Sequence, residues 1–500
     1  MSATLDRLLV ILGEIADLQK AAALLEWDEQ VYMPPGGATT HGQMVGTVRK
    51  LAHEMFVTDE VGRLLDVLKS EMAGEDPDSD TARLVAVTSR DYDKARRVPA
   101  DFVAEQARVL SASQQAWIEA RGANDFQRFR PHLERFIELK RRYITFFPPA
   151  AHPYDTLLDE FEPGTTTADV QAVFATLRPR QVQLIRELGA RPQIEDAFLH
   201  VAYDEDRLWS FSREVVTAMG FDWTRGRQDR SAHPFATGIG SDDVRITSRH
   251  TPKEPLSLIF GSVHEAGHAL YEQGLNPAFA RHSLGAATSL GIHESQSRLW
   301  ENLVGRSQPF WQHFYPALQT RFPEQLNGVS LDRFYRAINR VQPSLIRVEA
   351  DEATYNLHVM LRVELEIALV EGRLEVRDLP DAWRSAMQDY LGLTPDTDSH
   401  GVLQDIHWSI GAFGYFATYT LGNLISAQLW NTFGAAHPSR DADIARGDFS
   451  ALRNWLRETV HAPGRKFLPK EIVQRATGGG LDAEPYLRYL EEKYRAVYGA

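Results

Sequence analysis

Apolar and polar residues alternate on a helical period along most of the chain. Leu5, Leu8, Leu9, Leu12, Ile15 and Leu18 recur at short intervals with Asp, Glu and Arg between them, predicting an amphipathic helix. Phe102, Val109, Leu110, Trp117 and Ile118, then Phe129, Leu133, Phe136, Ile137 and Leu139, repeat the pattern over residues 101–145. Gly122-Ala123-Asn124-Asp125 interrupts it and predicts a break there. Residues 168–190, 204–219, 255–273, 292–304, 347–371, 380–391 and 450–460 carry the same period. Strand signals are scarce. The clearest is Asp243-Val244-Arg245-Ile246-Thr247, where β-branched and polar residues alternate inside a Gly-, Pro- and His-containing region, 223–255. The expected fold is therefore mainly α, with a small β element near 233–250. No fixed-period repeat, low-complexity tract or linker divides the chain, so residues 1–500 are expected to form one domain, at most as two lobes facing a cleft.

Composition changes this picture little but narrows the chemistry. With 43% hydrophobic and 24% charged residues the chain is ordinary globular protein. The excess of 68 acidic over 54 basic residues, a net charge of −14, argues against nucleic acid as a main partner. No run of 18 apolar residues exists to cross a membrane, and the N-terminal apolar positions are spaced rather than contiguous, unlike a secretory signal. A soluble, cytoplasmic protein is expected. There is no cysteine, which excludes disulfides and thiol catalysis and leaves His, Asp and Glu as the only strong metal ligands.

The segment from Leu256 to Gly274 opens after Pro255 and closes on glycine, as a helix does, with Ile259, Val263, Ala266 and Leu270 as its apolar stripe. It contains His264-Glu265-Ala266-Gly267-His268. Histidines at this spacing project from one face a turn apart, so both imidazoles reach one ion at about 2.0–2.1 Å. Glu265 points about 100° around the helix, where it can stand beside the ion without binding it and take a proton from activated water. Chance also produces this motif, and paired surface histidines are common. Gly267 speaks against chance, because a glycine inside a helix costs about 1 kcal/mol relative to alanine and calls for a reason. A third ligand from another helix is needed, since three successive turns of one straight helix cannot converge on one ion, which removes Glu272. Glu294, in Gly291-Ile292-His293-Glu294-Ser295-Gln296, is well placed downstream. Its alternative is a plain helical carboxylate sharing a face with Arg298 and Glu301, and spacing leaves both open.

At this point the motifs resemble those of the thermostable metallocarboxypeptidases of the M32 family. Trp27-Asp28 with Met33-Pro34 and Gly37, His233-Pro234-Phe235, Asp243-x-Arg245-x-Thr247, the His264–His268 motif, His293-Glu294-Ser295-Gln296, Ile346-Arg347-x-x-Ala350-Asp351 and Gly401-x-x-Gln404-Asp405-x-His407-Trp408 follow the family's order across nearly the whole chain. The resemblance implies His264, His268 and Glu294 as ligands of one divalent ion and Glu265 as the catalytic base. It also implies a helical fold with a deep substrate groove, a homodimer, and removal of single residues from peptide C-termini with broad specificity. Zinc is the expected ion, though two imidazoles and a carboxylate also accept cobalt or manganese.

Hydrolysis further needs donors for the developing oxyanion, and His407 and Tyr419 are the candidates. Their alternatives are structural: a histidine packed beside Trp408, and a tyrosine on an aromatic stripe with Tyr415 and Phe416. A free C-terminal carboxylate calls for a guanidinium, with Arg347 first and Arg245 second. Arg347 could instead pair with Asp351 one helical turn on. His233 and His293 are candidates for orienting the ligands, or are simply structural histidines. Two other functions compete: an oligopeptidase-type metalloendopeptidase, and a non-catalytic helical scaffold around a structural metal, although structural zinc sites favour Cys.

Overall fold

The computed structural model describes residues 2–499, and in it the helical period becomes a succession of capped helices around a single small sheet. The expected break inside 101–145 falls between helices Ala100–Ala123 and Phe126–Thr145. Asn124 adopts the left-handed conformation (φ 54°) that ends the first helix, and the Asp125 side chain accepts the Gln127 N–H to start the second.

The expectation of one helix over 347–371 is corrected. The helix begins only at Tyr355, and upstream of it Arg347–Glu349 form a single tight turn. The cause lies in Asp351, whose carboxylate accepts backbone N–H groups from Gln342, Ala353 and Thr354 and so folds the chain into a loop. The proposed helical ion pair between Arg347 and Asp351 therefore does not form.

The three strands, β1 (Gly226–Arg230), β2 (Ala236–Gly240) and β3 (Asp243–Ser248), lie in the order β1-β3-β2. β3 pairs in parallel with β1 and antiparallel with β2, with a register irregularity between Gly238 and Gly240. β1 lies upstream of the 233–250 window, since its polar Arg-Gln-Asp-Arg run gives little strand signal.

Among the described residues, three apolar cores hold the helices. One gathers residues 102–188, 341–427 and 483–494, the second residues 199–338 and 425–473, and a smaller third ties the N-terminal helices to Phe279 and Leu284. Helix Ala417–Ala436 serves two of them, with Leu421 and Leu424 in the first and Ile425, Leu429 and Phe433 in the second. Among the described residues no helix is long and apolar enough to cross a membrane.

Candidate metal centre and active site

Helix Ser257–Gly274 carries both histidines of the motif, and its predicted stripe of Ile259, Val263, Ala266 and Leu270 is buried. Helix Leu290–Arg298, started by the Ser289 hydroxyl, carries Glu294 and runs into a wider π-helical stretch, Leu299–Val304. Two glycines let these elements touch. A Cβ at Gly267 would lie 2.7 Å from the Ser297 Cα and 2.8 Å from the Gln296 carbonyl oxygen, which explains the helix-interior glycine. A Cβ at Gly422, on helix Ala417–Ala436, would lie 2.7 Å from the Glu294 Cβ. Close backbone approach thus brings three helices to one point.

At that point one donor atom each from His264, His268 and Glu294 lies within 4.8 Å of the others. The Nε2 atoms of His264 and His268 stand 3.8 and 3.5 Å from Glu294 Oε2. Both imidazoles are anchored through their other nitrogen. His264 Nδ1 bonds Glu301 Oε2 at 2.8 Å, while His268 Nδ1 meets His293 Nδ1, whose Nε2 bonds Glu272 Oε1 at 2.9 Å. Arg298 donates from Nε to Glu294 Oε1 at 2.6 Å, which leaves Oε2 as the oxygen facing the histidines. Two nitrogens and one oxygen facing a common point, with no fourth donor in the cluster among the described residues, match the donor set of an open metal centre.

The electrostatics follow from burial and charge. Burial would raise the Glu294 carboxyl, but Arg298 and the two histidines hold it far below the usual carboxylate range. Glu301 falls to about 2 against burial, through its bond to His264 and the Arg298 charge. Burial beside His293 drives His268 down to about 3, so its imidazole is neutral and free to bind an ion. Glu265 behaves differently: burial lifts its carboxyl to about 7, with Glu294 and Glu301 adding to the rise against the pull of His264. A carboxyl poised near neutrality can both take and return a proton.

The remaining predicted residues divide into two places. His407 Nε2 lies 3.2 Å from the Tyr419 hydroxyl, and the His407 ring packs on Phe416 at 4.4 Å rather than on Trp408. Burial and the neighbouring Arg347 charge push His407 down to about 3, so it is neutral, and its Nδ1 has no partner. Arg347 is buried, with Nε and Nη2 on Asp405 Oδ1 at 3.0 and 2.8 Å and Nη1 on the Tyr355 hydroxyl at 2.9 Å. Its guanidinium lies over the Tyr419 ring at 4.9 Å. Tyr355 joins this cluster to the metal centre, because the Arg298 guanidinium sits 4.4 Å over its ring.

Arg245 is elsewhere. It forms a two-pronged pair with Asp243 at 2.9 and 2.7 Å and lies 4.3 Å over the Trp27 ring, so the Asp243-x-Arg245 and Trp27-Asp28 motifs meet to bind the N-terminal helix to the sheet. His233 is exposed, and its carbonyl rather than its ring takes a hydrogen bond; of the two histidines considered for orienting ligands, only His293 touches a histidine of the motif, His268.

Periodicity had brought Glu301 and Arg298 forward only as neighbours of Glu294. It offered no signal for Arg362, fully buried, which donates from Nε to Asp405 Oδ2 at 2.6 Å and from Nη1 to the His358 carbonyl while Nη2 stays unpartnered.

A helical hydrolase scaffold around two histidines, a glutamate and a poised carboxyl is that of a zinc-type metallopeptidase. The family model described as "Carboxypeptidase Taq (M32) metallopeptidase" matches residues 7–494. The chain is 41% identical to the thermostable carboxypeptidase 1 of Thermus thermophilus, covering 99% of each. It is 38% identical to carboxypeptidase 1 of Bacillus subtilis, over 98% of this chain and 97% of that one. The crystal structure of the M32 carboxypeptidase from Deinococcus radiodurans superposes with a TM-score of 0.97 at 43% identity, covering both chains completely. The chain belongs to the M32 family and is a metal-dependent carboxypeptidase acting on peptides, which sets aside the endopeptidase and scaffold alternatives.

Proposed function

We propose that His264, His268 and Glu294 hold one zinc ion per chain, and that Glu265, His407, Tyr419 and Arg347 perform the hydrolysis of the last peptide bond around it. The convergence of the two Nε2 atoms and Glu294 Oε2 carries this reading. The same donors accept cobalt or manganese, and zinc is favoured by the low coordination number they offer. When bound, the ion supplies Lewis-acid polarisation of the carbonyl and acidification of water.

The protein's own groups do the rest. Glu265 takes a proton from the attacking water and returns it to the departing amine, a shuttle suited to a carboxyl lifted to about 7 before the ion binds. Tyr419 and neutral His407 donate to the carbonyl oxygen as charge develops on it. Arg347 receives the C-terminal carboxylate. Its support is a charge count: Arg347 and Arg362 share one anion, Asp405, while burial keeps His358 and His407 neutral. One buried positive charge is therefore left without a partner, and a substrate carboxylate compensates it. Arg245, paired with Asp243, serves as scaffold in this account. No pocket for one particular side chain is invoked, in keeping with removal of single C-terminal residues with broad specificity from a groove. We place the enzyme in the cytosol, where a chain without cysteine needs no oxidising compartment, as a homodimer of single-domain subunits whose two lobes share helix Ala417–Ala436.

The test is metal content and turnover measured together. Wild-type protein should hold one zinc per chain, lose release of C-terminal residues on chelation and regain it on zinc addition. Glu294→Ala should lose both metal and turnover. Full zinc occupancy in Glu294→Ala would reject the ligand set.

A further inference from the structure

Glu272 lies four residues beyond His268 on the same helix, too far along it to be a ligand, yet it is connected to that ligand through a second imidazole. The His268 and His293 rings stand 4.5 Å apart with their Nδ1 atoms in contact, and His293 Nε2 is 2.9 Å from Glu272 Oε1. We propose that Glu272 and His293 are positioning residues that select the tautomer of His268, and so decide that its Nε2 presents a lone pair to the ion. The inference rests on His268 being a ligand.

The Glu272 carboxylate oxygen accepts, so His293 carries a proton on Nε2, the nitrogen facing it. His293 Nδ1, the nitrogen facing His268, is then left as the acceptor of their contact. The atom in contact with it, His268 Nδ1, must be the donor, and the neutral His268 ring keeps its lone pair on Nε2. That nitrogen is the one 3.5 Å from Glu294 Oε2, pointed into the metal position. Reverse the proton on His293 and His268 would present N–H to the ion instead. His264 needs no such intermediary, because Glu301 accepts directly from its Nδ1 at 2.8 Å. The two ligand imidazoles are thus fixed by two carboxylates, one at first hand and one through a histidine.

Glu272 is itself placed by the sheet. A Cβ on Gly238 of β2 would lie 2.5 Å from Glu272 Oε2, so the bare backbone there leaves the carboxylate the room it occupies. The Gly238-to-Glu272 contact gives the β element a role in the metal centre.

The experiment measures zinc affinity of the metal-free protein by competition with a chromophoric chelator, together with its melting temperature. His293→Phe, which keeps a flat ring but accepts nothing, should weaken zinc binding by roughly 10- to 100-fold. His293→Gln, whose amide oxygen can accept from His268 Nδ1, should recover most of that loss. Glu272→Met should weaken binding in the same direction as His293→Phe, and Gly238→Ala, by displacing Glu272, should do so to a smaller extent. Equal losses in His293→Gln and His293→Phe would show a packing role and overturn the proposal. Should His293→Phe melt early, Glu272→Met decides, and unchanged affinity there overturns it. His268→Ala separates this from the ligand assignment: if it binds zinc as tightly as wild type, that assignment fails. If it loses zinc while His293→Phe binds normally, the tautomer proposal alone fails.

Discussion

The metal half and the arginine half of the site solve the same problem, burying charge, in opposite ways. Around the proposed metal position three carboxylates, Glu265, Glu294 and Glu301, gather beside two guanidiniums: Arg298 pairs with Glu294 and Glu301, Arg306 lies 3.6 Å from Glu301, and the carboxylate excess suits a divalent cation. Around Asp405 two guanidiniums gather on one carboxylate, and the surplus positive charge suits an anion. Tyr355 stands between them, its ring under Arg298 and its hydroxyl on Arg347. On the proposed reading, a peptide end carries a carbonyl that needs a cation and a carboxylate that needs another, and the two halves are offered to them in that order. Unbalanced buried charge is costly when nothing fills it. Here each imbalance reads as a substrate or cofactor preference.

Disabling the proton shuttle should separate chemistry from metal binding most sharply. Glu265→Gln is expected to lose about 100- to 10,000-fold in kcat while keeping zinc, measured by steady-state turnover and elemental analysis on one sample. On the arginine side, Asp405→Asn leaves two buried guanidiniums without an anion. It should cost about 3–5 kcal/mol in denaturant unfolding yet leave zinc affinity unchanged; a coupled loss of zinc would show that the halves are not separate. A titration distinguishes them next. Glu366 receives the Tyr154 hydroxyl, the Trp408 indole N–H and the Gly414 N–H, and burial lifts its carboxyl to about 7. A carboxyl raised in the folded state is stabilising below its unfolded pKa of about 4.5, and that stability is lost as pH rises through 7. The loss amounts to about 3 kcal/mol, and Glu366→Gln should flatten it between pH 5 and 8 relative to wild type. Smallest is Gly267→Ala, which should cost about 1–3 kcal/mol by driving two helices apart and should weaken zinc binding.

The two halves also differ in how far the chain foretells them. The metal half is local. His264 and His268 are one turn apart, and Glu294, Arg298 and Glu301 follow one another on a second helix, so helical spacing brings them to attention together. Even there spacing left Glu294 undecided, because only packing through Gly267 and Gly422 turns it from surface carboxylate to buried donor. The arginine half is assembled from residues 347 to 419 across a turn, two helices and the loop between them, and periodicity misread its beginning. Arg347 looked like the start of a helix with Asp351 as partner, whereas Asp351 bonds the backbone and Asp405, far along the chain, takes the guanidinium. Arg362 sits within a helix apolar on nearly every side, and nothing in its spacing marks it as charged machinery. Arg245 shows the reverse, a motif arginine whose partners are Asp243 and Trp27 and not the Asp405 cluster.

The division of labour is tested most directly by following one peptide in two forms, with a free and with an amidated C-terminus, through mass spectrometry with wild-type protein and Arg347→Met. Wild type should shorten the free form and spare the amide. Arg347→Met should keep its zinc, lose about 2–5 kcal/mol of the preference for the free end, and cleave the two forms at similar low rates. A zinc-loaded Arg347→Met that still discriminates between them as wild type does would contradict the account.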